Sequence, residues 1–437
     1  RLAAAESTIR VLKRQMNDLA IATKALRSAD AGASLPASSR AFQILVYGCM
    51  EDERHIQHAI FAAQAYAAEL RRLGRAATVR DFVLENLVDS STIELGDVTF
   101  VAVATSKLGP KCLKEFPALA ELLAQRKRHN IVTLAAAGEV FAPGPSCGNG
   151  KIDLAMDRSG VPRASGDCIP IHFLQGLMFV ARNVKSYNEG LLSFCDDAVR
   201  ESVPNRSPGN LVMLATARVI KRSYHDADAL VRSSLFKLAT ERFGKAVVQG
   251  THFVRYLREQ GLDFTEIKCG GNDLEVALCK SKFKFTIDME NTALNGYISE
   301  KIFTGLMSRT IPVYFGAPDV ANYLNPKRFI RCVIPPEALE ELRSKKKNKS
   351  FYFTSEPNPS DAEIITAAAN LLFPHLQPCL DRMDEVNRDD ALYQSMLREP
   401  VFADQDLACS QAPFINIDVG SQVYAALHDK LGFASPL

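Results

Sequence analysis

The sequence predicts an α/β protein made of two successive units, each built around a mainly parallel β-sheet. The chain has 437 residues, which at ~150 residues per domain is more than one compact domain. Short apolar runs alternate with longer amphipathic stretches, the pattern of strand–helix–strand units. A break containing Pro and Gly at 204–210 separates two such series, which gives the two units.

The first 27 residues are predicted to form an amphipathic helix. Its seam alternates spacings of four and three, as a heptad repeat does, at Ala5, Ile9, Leu12, Met16, Leu19, Thr23 and Leu26. Three heptads fit either a short coiled coil, with a homo-oligomer contact through residues 5–26, or a helix packed on its own domain. Residues 28–40 are rich in Ala, Ser and Pro and are predicted to be a linker.

Residues 41–205 form the first predicted unit. Its strands are short apolar runs, predicted at 42–47, 78–84, 99–104 and 131–134. Its helices are longer amphipathic stretches, predicted at 52–73 and 113–125. Because strands and helices alternate, the strands are expected to pair in parallel.

Residues 206–355 form the second predicted unit. Strands are predicted at 211–216, 283–289 and 311–315, and helices at 228–243 and 299–309. The polar run 343–350 is predicted to be an exposed loop. The remaining residues, 356–437, are predicted to be a helical segment that packs across both units.

Composition excludes several classes of protein. With 47% hydrophobic and 23% charged residues, the chain is globular rather than disordered, and a net charge of +2 predicts no nucleic-acid partner. Residues 1–437 contain no run of ~18 apolar residues, so no membrane span is predicted among them. The ten cysteines and eight histidines show no zinc-ligand spacing, so no metal site is predicted, and free thiols or a few disulfides both remain open.

The segment 283–316 is the most informative part of the chain. A predicted strand ends at Met289, a polar loop follows, and Ser299 is predicted to be the N-cap of a helix whose apolar stripe is Ile302, Phe303, Leu306 and Met307. Glu300 and Lys301 then lie in the first helical turn, at the sheet edge where parallel sheets bind ligands. On this pattern alone, the two are either solvated surface residues or part of an anion site at the helix N-terminus.

The same segment resembles the signature of the α1,3/1,4-fucosyltransferases, glycosyltransferase family 10. The matching motifs, in order, are Phe-Lys-Phe at 283–285, Glu-Asn-Thr at 290–292, Gly-Tyr-Ile-Ser-Glu-Lys at 296–301, Ile-Pro-Val-Tyr-Phe-Gly at 311–316 and Asn-Pro-Lys-Arg-Phe-Ile at 325–330. Ser299 departs from the family, which usually has Thr there. Weaker similarity at 152–156 and 213–217 extends the resemblance over roughly residues 130–335.

The resemblance implies a GT-B fold, in which two Rossmann-like domains face a central cleft. It implies an inverting transfer of fucose from GDP-fucose to a hydroxyl of a glycan, with GlcNAc and an α1,3 linkage expected first, or of a glycoprotein. Residues 41–205 would bind the acceptor and 206–355 the donor. No metal cofactor is required, although non-essential stimulation by divalent cations would be compatible. Most eukaryotic members are type II Golgi membrane proteins with a lumenal catalytic domain, so an anchor is expected upstream of Arg1.

Donor-binding residues follow from the resemblance and the chemistry of the leaving group. Lys301 and Arg232 are expected to meet the diphosphate charge, with Arg218 or Arg222 as alternatives to Arg232. Glu300 is expected to accept hydrogen bonds from ribose hydroxyls. The residues expected to line the sugar–diphosphate site are Asn291 and Tyr297.

Inversion requires a base on the acceptor side of the sugar, opposite the leaving group. In the family this is a Glu shortly before the "Phe-Asp" segment, which points to Glu139, in the loop after the strand 131–134. A surface role for Glu139 is the alternative, and His172 and Asp153 are weaker competitors for the base. The acidic pairs Asp196-Asp197 and Asp389-Asp390 are interpreted as surface charge rather than as metal ligands.

Two other functions fit the sequence less well. One is a GT-B glycosyltransferase with a different nucleotide-sugar donor, which competition between donors would separate from the first. The other is a non-catalytic glycan-binding relative that oligomerises through its N-terminal helix.

Overall fold

A computed structural model describes residues 273–347 and 360–405 without a gap, and elsewhere the helices and strands between residues 42 and 427 with a few adjoining residues. The predicted helix at 5–26 and the linker at 28–40 lie outside the described residues. Two large sheets organise the described part of the chain.

The first sheet has six strands in the order β2–β1–β3–β4–β5–β6, and every pairing is parallel. Its strands are β1 Phe42–Gly48, β2 Ala77–Asp81, β3 Thr99–Ala104, β4 Ile131–Ala135, β5 Leu154–Asp157 and β6 Ile169–His172. Its helices are α1 Glu53–Arg72 and α2 Pro117–Ala124. The four strands and two helices predicted in this unit are therefore confirmed, with ends that differ by a few residues, whereas β5 and β6 were not predicted.

Helix α1 packs on β1 and β3 through one apolar stripe. The buried residues recur at helical spacing and are Ala62, Ala63, Tyr66, Ala67 and Leu70. The small alanines let the helix lie close to the sheet. The chain leaves the helix at Gly74, whose φ of +76° is accessible to glycine at little cost.

The second sheet also has six parallel strands, in the order β12–β11–β10–β7–β8–β9. The strands are β7 Val212–Ala215, β8 Ala246–Gln249, β9 Phe264–Glu266, β10 Phe285–Ile287, β11 Ile311–Tyr314 and β12 Ile330–Arg331. Read from β9, the order is third, second, first, fourth, fifth, sixth, the usual order of a dinucleotide-binding Rossmann sheet. The predicted fold class, an α/β protein with two Rossmann-like units as in the GT-B type, is confirmed.

Seven more helices complete the described structure. They are α3 Ala229–Phe243, α4 Asp273–Lys280, α5 Glu300–Met307, α6 Pro336–Ser344, α7 Asp361–Arg388, α8 Asp390–Arg398 and α9 Val419–Ala425. Helices α3, α6, α7 and α8 share one apolar core with the second sheet, and α7 packs along α3. Helix α9 packs on α1 and contacts β6 of the first sheet.

The predicted exposed loop at 343–350 is wrong. Helix α6 extends to Ser344, and β13 Lys346–Lys347 pairs antiparallel with β14 Ser350–Phe351. No sign of this ladder is present in the sequence, because a run of lysines shows no alternation of apolar and polar residues. The two strands are identified by their backbone pairing. The pair Asp389-Asp390 has local roles. Asp389 caps α8 by accepting the Leu392 N–H, and Asp390 lies 3.3 Å from the Lys284 ammonium.

Two disulfides resolve part of the cysteine alternative left open above. Cys269 pairs with Cys279 of α4, and Cys332, after β12, pairs with Cys379 of α7. The second bridge closes a loop of 47 residues, which stabilises the fold by about 4 kcal/mol on a chain-entropy argument. Among the described helices, none is both long and apolar enough to cross a membrane.

Candidate functional site

The candidate site lies beyond the carboxyl ends of β7 and β10, where the strand order of the second sheet reverses. Ligands of open parallel sheets bind at such a reversal, because the two connections leave on opposite faces and open a crevice. The chain that follows β7 leads to α3, which carries Arg232, and the chain that follows β10 leads through 288–299 to α5. The topology therefore brings together residues that are far apart in sequence.

Strand β10 and its extension present two different faces. Phe285, Ile287 and Met289 point into the apolar core shared with α3 and α7. The alternate residues Thr286, Asp288 and Glu290 point to the other face, beneath α5, and are also buried. A row of buried polar groups thus supports the N-terminal end of α5.

Arg232 and Asn291 meet at the reversal point. Both side chains are buried, and Arg232 Nη1 donates a long hydrogen bond of 3.5 Å to Asn291 Oδ1. The alternatives Arg218 and Arg222 lie outside the described residues, so the choice of Arg232 stays a prediction. Arg232 is also near enough to Lys301 for the repulsion between the two cations to lower the pKa of Lys301.

Lys301 lies in the first turn of α5 with its ammonium among three oxygens. Its Nζ is 2.7 Å from Ser299 Oγ, 3.2 Å from Glu300 Oε1 and 3.4 Å from Glu290 Oε2. Burial lowers the pKa of Lys301, but the Glu300 and Glu290 carboxylates outweigh it and hold that pKa well above its ordinary value. The side chain keeps 22% of its surface exposed, so a charged ammonium is available to an incoming anion.

Glu300 is ionised for a related reason. Burial raises the pKa of Glu300, but the Lys301 ammonium and hydrogen bonds at the helix N-terminus outweigh burial and leave that pKa below its ordinary value. About a quarter of its side chain is exposed, 26%. Glu300 therefore presents a charged hydrogen-bond acceptor beside the Lys301 cation.

Glu290 was not predicted as a site residue, yet it connects three parts of the site. Its Oε1 accepts the Ser299 N–H at 2.7 Å, and its Oε2 accepts the Ser299 hydroxyl at 2.6 Å. The predicted N-cap position of Ser299 is confirmed, but the Ser299 side chain makes no cap hydrogen bond. The Ser299 hydroxyl instead donates to Glu290, because that buried carboxylate is the stronger acceptor.

Tyr297 and the loop before it are held by carboxylates. Tyr297 is buried, and the preceding Gly296 donates its N–H to Asp319 Oδ1 at 2.8 Å with a φ of +71°. Asp228, which precedes α3 and was not predicted, accepts the Ala293 N–H at 3.0 Å. Arg343 of α6 donates to both oxygens of Asp228, so one buried carboxylate joins the loop, α3 and α6.

Glu290→Gln is expected to reduce the free energy of unfolding by about 1–3 kcal/mol. In either orientation the new NH₂ group faces a donor, either the Ser299 N–H or the Ser299 hydroxyl with the Lys301 ammonium. Urea unfolding measures the difference. Glu337→Gln, in the exposed first turn of α6, is the matched control and is expected to change stability by less than about 0.5 kcal/mol. Equal losses in the two variants would contradict this assignment.

The predicted base, Glu139, and its competitor Asp153 lie outside the described residues, and the other competitor, His172, is the last residue of β6. Within the described ranges, no group of three or more His, Cys, Asp or Glu side chains is arranged to hold a metal ion. The described part of the site includes the cations Lys301 and Arg232, the carboxylates Glu300 and Glu290, the Asn291 amide and Tyr297.

Comparison with known proteins agrees with the motifs. Residues 265–354 match the family model for the glycosyltransferase family 10 (fucosyltransferase) C-terminal domain, which confirms the resemblance over that segment. The α-(1,3)-fucosyltransferase FucT of Helicobacter pylori is 48% identical over 50 residues, 11% of this chain and 10% of that protein. The GDP-fucose protein O-fucosyltransferase 3 of Xenopus tropicalis is 36% identical over 76 residues, 16% of each protein.

These alignments are short, so the chain matches only a tenth to a sixth of the length of these curated relatives. A crystal structure of an α1,3-fucosyltransferase with GDP-fucose is 15% identical and covers 92% of this chain and 94% of its own, with a TM-score of 0.46. The family segment contains Asn291, Tyr297, Glu300 and Lys301, whereas Arg232 lies outside it.

Proposed function

We propose that this chain, whose residues 265–354 carry the C-terminal domain of glycosyltransferase family 10, transfers fucose from GDP-fucose to a hydroxyl group with inversion at the sugar. The observation that carries the proposal is the position of Lys301. Its ammonium lies at the N-terminus of α5, at the strand-order reversal, and Arg232 of α3 reaches Asn291 of the loop before α5 from the other side of that reversal. A nucleoside diphosphate is the kind of ligand that two cations at the N-terminal end of a helix, beside a strand-order reversal, bind.

Charge on the leaving group is the main demand of the reaction. When the bond from the fucose anomeric carbon to the β-phosphate oxygen breaks, its electron pair stays on the diphosphate. Lys301 and Arg232 would meet that developing charge, and Arg232 offers the planar geometry that suits two phosphate oxygens. Glu300 would accept hydrogen bonds from ribose hydroxyls, and Asn291 and Tyr297 would line the sugar–diphosphate site.

The acceptor completes the exchange of bonds. Its hydroxyl oxygen attacks the anomeric carbon from the face opposite the diphosphate, which forms the new glycosidic bond with inversion. The hydroxyl proton passes to a base on that side, for which we propose Glu139. Residues 41–205 would hold the acceptor and 206–355 the donor.

The finer assignments follow the family resemblance. We propose a glycan acceptor, GlcNAc in α1,3 linkage first, with a glycoprotein as the alternative, and a type II Golgi membrane protein whose anchor lies upstream of Arg1. The disulfides Cys269–Cys279 and Cys332–Cys379 support an oxidising compartment. Residues 5–26 would supply a homo-oligomer contact, and residues 356–437 would pack across both domains.

We also propose that transfer requires no metal cofactor and that divalent cations stimulate it at most mildly. This proposal is supported by Lys301 and Arg232, because these two side chains supply positive charge at the site. A diphosphate leaving group needs its charge met, and side-chain cations that are already held in place meet it with little reorganisation.

The test offers purified protein GDP-fucose, GDP-mannose and UDP-sugars in parallel, with EDTA present, and measures nucleotide release. Release of GDP from GDP-fucose alone is expected, and it would establish the donor and the independence from metal. Release from a different donor would overturn the named activity and keep the glycosyltransferase class.

Absence of release from every donor would be followed by a thermal-shift titration with GDP on the same sample. Stabilisation by GDP would indicate an enzyme that lacks its acceptor. No shift would contradict a functional donor site and favour a non-catalytic glycan-binding protein.

A further inference from the structure

A second buried charge pair lies beneath the first turn of α5. Lys280, the last residue of α4, and Asp288, after β10, are only 3% and 2% exposed. Lys280 Nζ is 2.5 Å from Asp288 Oδ1. Neither residue lies among the groups that face the proposed donor.

All three ammonium protons of Lys280 have acceptors. Besides Asp288, Nζ donates to Thr304 Oγ1 at 2.6 Å and to the backbone carbonyl of Lys301 at 3.3 Å. Thr304 Oγ1 in turn donates to the same carbonyl at 2.8 Å. One ammonium therefore fixes the backbone of the residue whose side chain carries the site's exposed cation.

The carboxylate of Asp288 is fixed just as fully. Its Oδ2 accepts the Thr286 hydroxyl at 2.6 Å, and its backbone N–H donates to Val313 O at 2.9 Å in the neighbouring strand. Gly305 of α5 lies directly against Oδ2, because a Cβ at that position would come within 2.0 Å of it. The pair thus connects α4, β10 and α5 through close contacts that leave no room between them.

Stability is a poor reason for this arrangement. Desolvation of two charges usually offsets their attraction, and apolar residues of similar volume often serve a fold as well. What the pair adds is a unique position for the first turn of α5, since each hydrogen bond has a direction. Because Glu300 and Lys301 are in that turn, its position determines where their side chains lie.

We propose that Lys280 and Asp288 are positioning residues that hold the first turn of α5 so that Lys301 meets the charge developing on the diphosphate; this inference rests on the function proposed above. They touch neither donor nor acceptor. A displacement of about 1 Å at a catalytic group can reduce turnover by ~100-fold, so the pair would act on the transition state more than on donor binding.

The test is the double variant Lys280→Met/Asp288→Asn, which removes both charges with little change in volume. We expect cooperative unfolding to persist, kcat with GDP-fucose to fall by roughly 10–100-fold, and KM for GDP-fucose to change by less than about threefold. The control is Arg382→Met/Glu385→Gln, an exposed pair on α7, which is expected to leave both constants unchanged. An unchanged kcat in a folded double variant would overturn the proposal.

Hydrogen exchange separates failure of this inference from failure of the proposed function. The peptide covering α5 is expected to exchange its amide protons faster in the double variant, while peptides from α7 keep the wild-type rate. If the wild type neither turns over GDP-fucose nor binds GDP, the function is wrong, and the exchange rates still decide whether the pair positions α5. Identical exchange in α5 would overturn the positioning role.

A milder variant covers the case in which the double variant does not fold. Thr304→Val removes the hydroxyl that joins Lys280 to the Lys301 carbonyl and leaves the ion pair in place. A fall in kcat of roughly 3–10-fold, with faster exchange in α5, is expected. Wild-type kcat and exchange in Thr304→Val would count against the proposal.

Discussion

Lys301→Ala is expected to lower kcat for transfer from GDP-fucose by roughly 10²–10³-fold, the usual effect of removing one group that stabilises transition-state charge. Affinity for GDP should fall by about tenfold or more, because a hydrogen bond to a charged group contributes ~1.5–3 kcal/mol. The fold should persist, since Glu290 keeps both hydrogen bonds from Ser299. Steady-state kinetics and calorimetric titration with GDP measure the two effects.

The matched control for this change is Lys327→Ala. Lys327 is exposed in a short 3₁₀ turn, Pro326–Arg328, away from the crevice, so its loss is expected to leave kcat and GDP affinity at wild-type values. Normal turnover in folded Lys301→Ala would remove Lys301 from the mechanism. Equal losses in both variants would indicate a general effect of surface charge.

Gly305→Ala is expected to reduce the free energy of unfolding by about 3–5 kcal/mol, the range for breaking a buried ion pair. Alanine in a helix is ordinarily more favourable than glycine by about 1 kcal/mol, so the sign of the effect is informative. The new Cβ would lie 2.0 Å from Asp288 Oδ2 and 3.0 Å from Thr286 Oγ1. Asp288 cannot retreat without losing Lys280 or Thr286. Chemical denaturation measures the change.

Gly74→Ala is the control for Gly305→Ala. A Cβ at Gly74 meets no atom within 4 Å, but the φ of +76° disfavours alanine, so a loss of only about 1 kcal/mol is expected. A neutral or stabilising Gly305→Ala would show that α5 can move away from β10. That result would weaken the case for a fixed first turn.

The order of elements could be predicted because each depends on local pattern. Strand β3 is marked by a short apolar run and helix α5 by apolar residues at a period of 3.6, and the burial of Ile302, Phe303 and Leu306 confirms the predicted stripe. Strands β5, β6, β8, β9 and β12 escaped prediction because two to four residues are too few to show a period. Strand β12 is defined by its pairing with β11, which precedes it by more than ten residues. Strands β13 and β14 pair with each other although β13 consists of two lysines.

The site residues were proposed only where a motif names them. Asn291, Tyr297, Glu300 and Lys301 lie in one continuous segment, and the proposal of Arg232 depends on a weaker match upstream. Alternation of apolar and polar residues along 283–290 normally indicates a strand with one solvated face. Here α5 covers the polar face, so Glu290 and Asp288 are buried partners rather than surface charges.

Asp228 shows the other limit of sequence reasoning. It contacts the loop at Ala293 and the guanidinium of Arg343, and nothing in the local pattern relates these three positions. Such contacts depend on how helices dock on the sheet. A lone Asp before a helix indicates only a capping residue, although here its side chain makes no cap hydrogen bond.

The strand order also determines when the donor site can form as the chain folds. Strands β7, β8 and β9 pair with neighbours close in sequence, but β10 joins the sheet by pairing Phe285 with Val212. Bringing those two residues together closes a long loop of chain. This step is slow, because the chain loses conformational entropy before the stabilising contacts form. Arg232 and Asn291 flank that pairing, so binding competence should arise late and all at once, after β10 has docked, and a nascent chain ending before β10 would hold only half of the crevice.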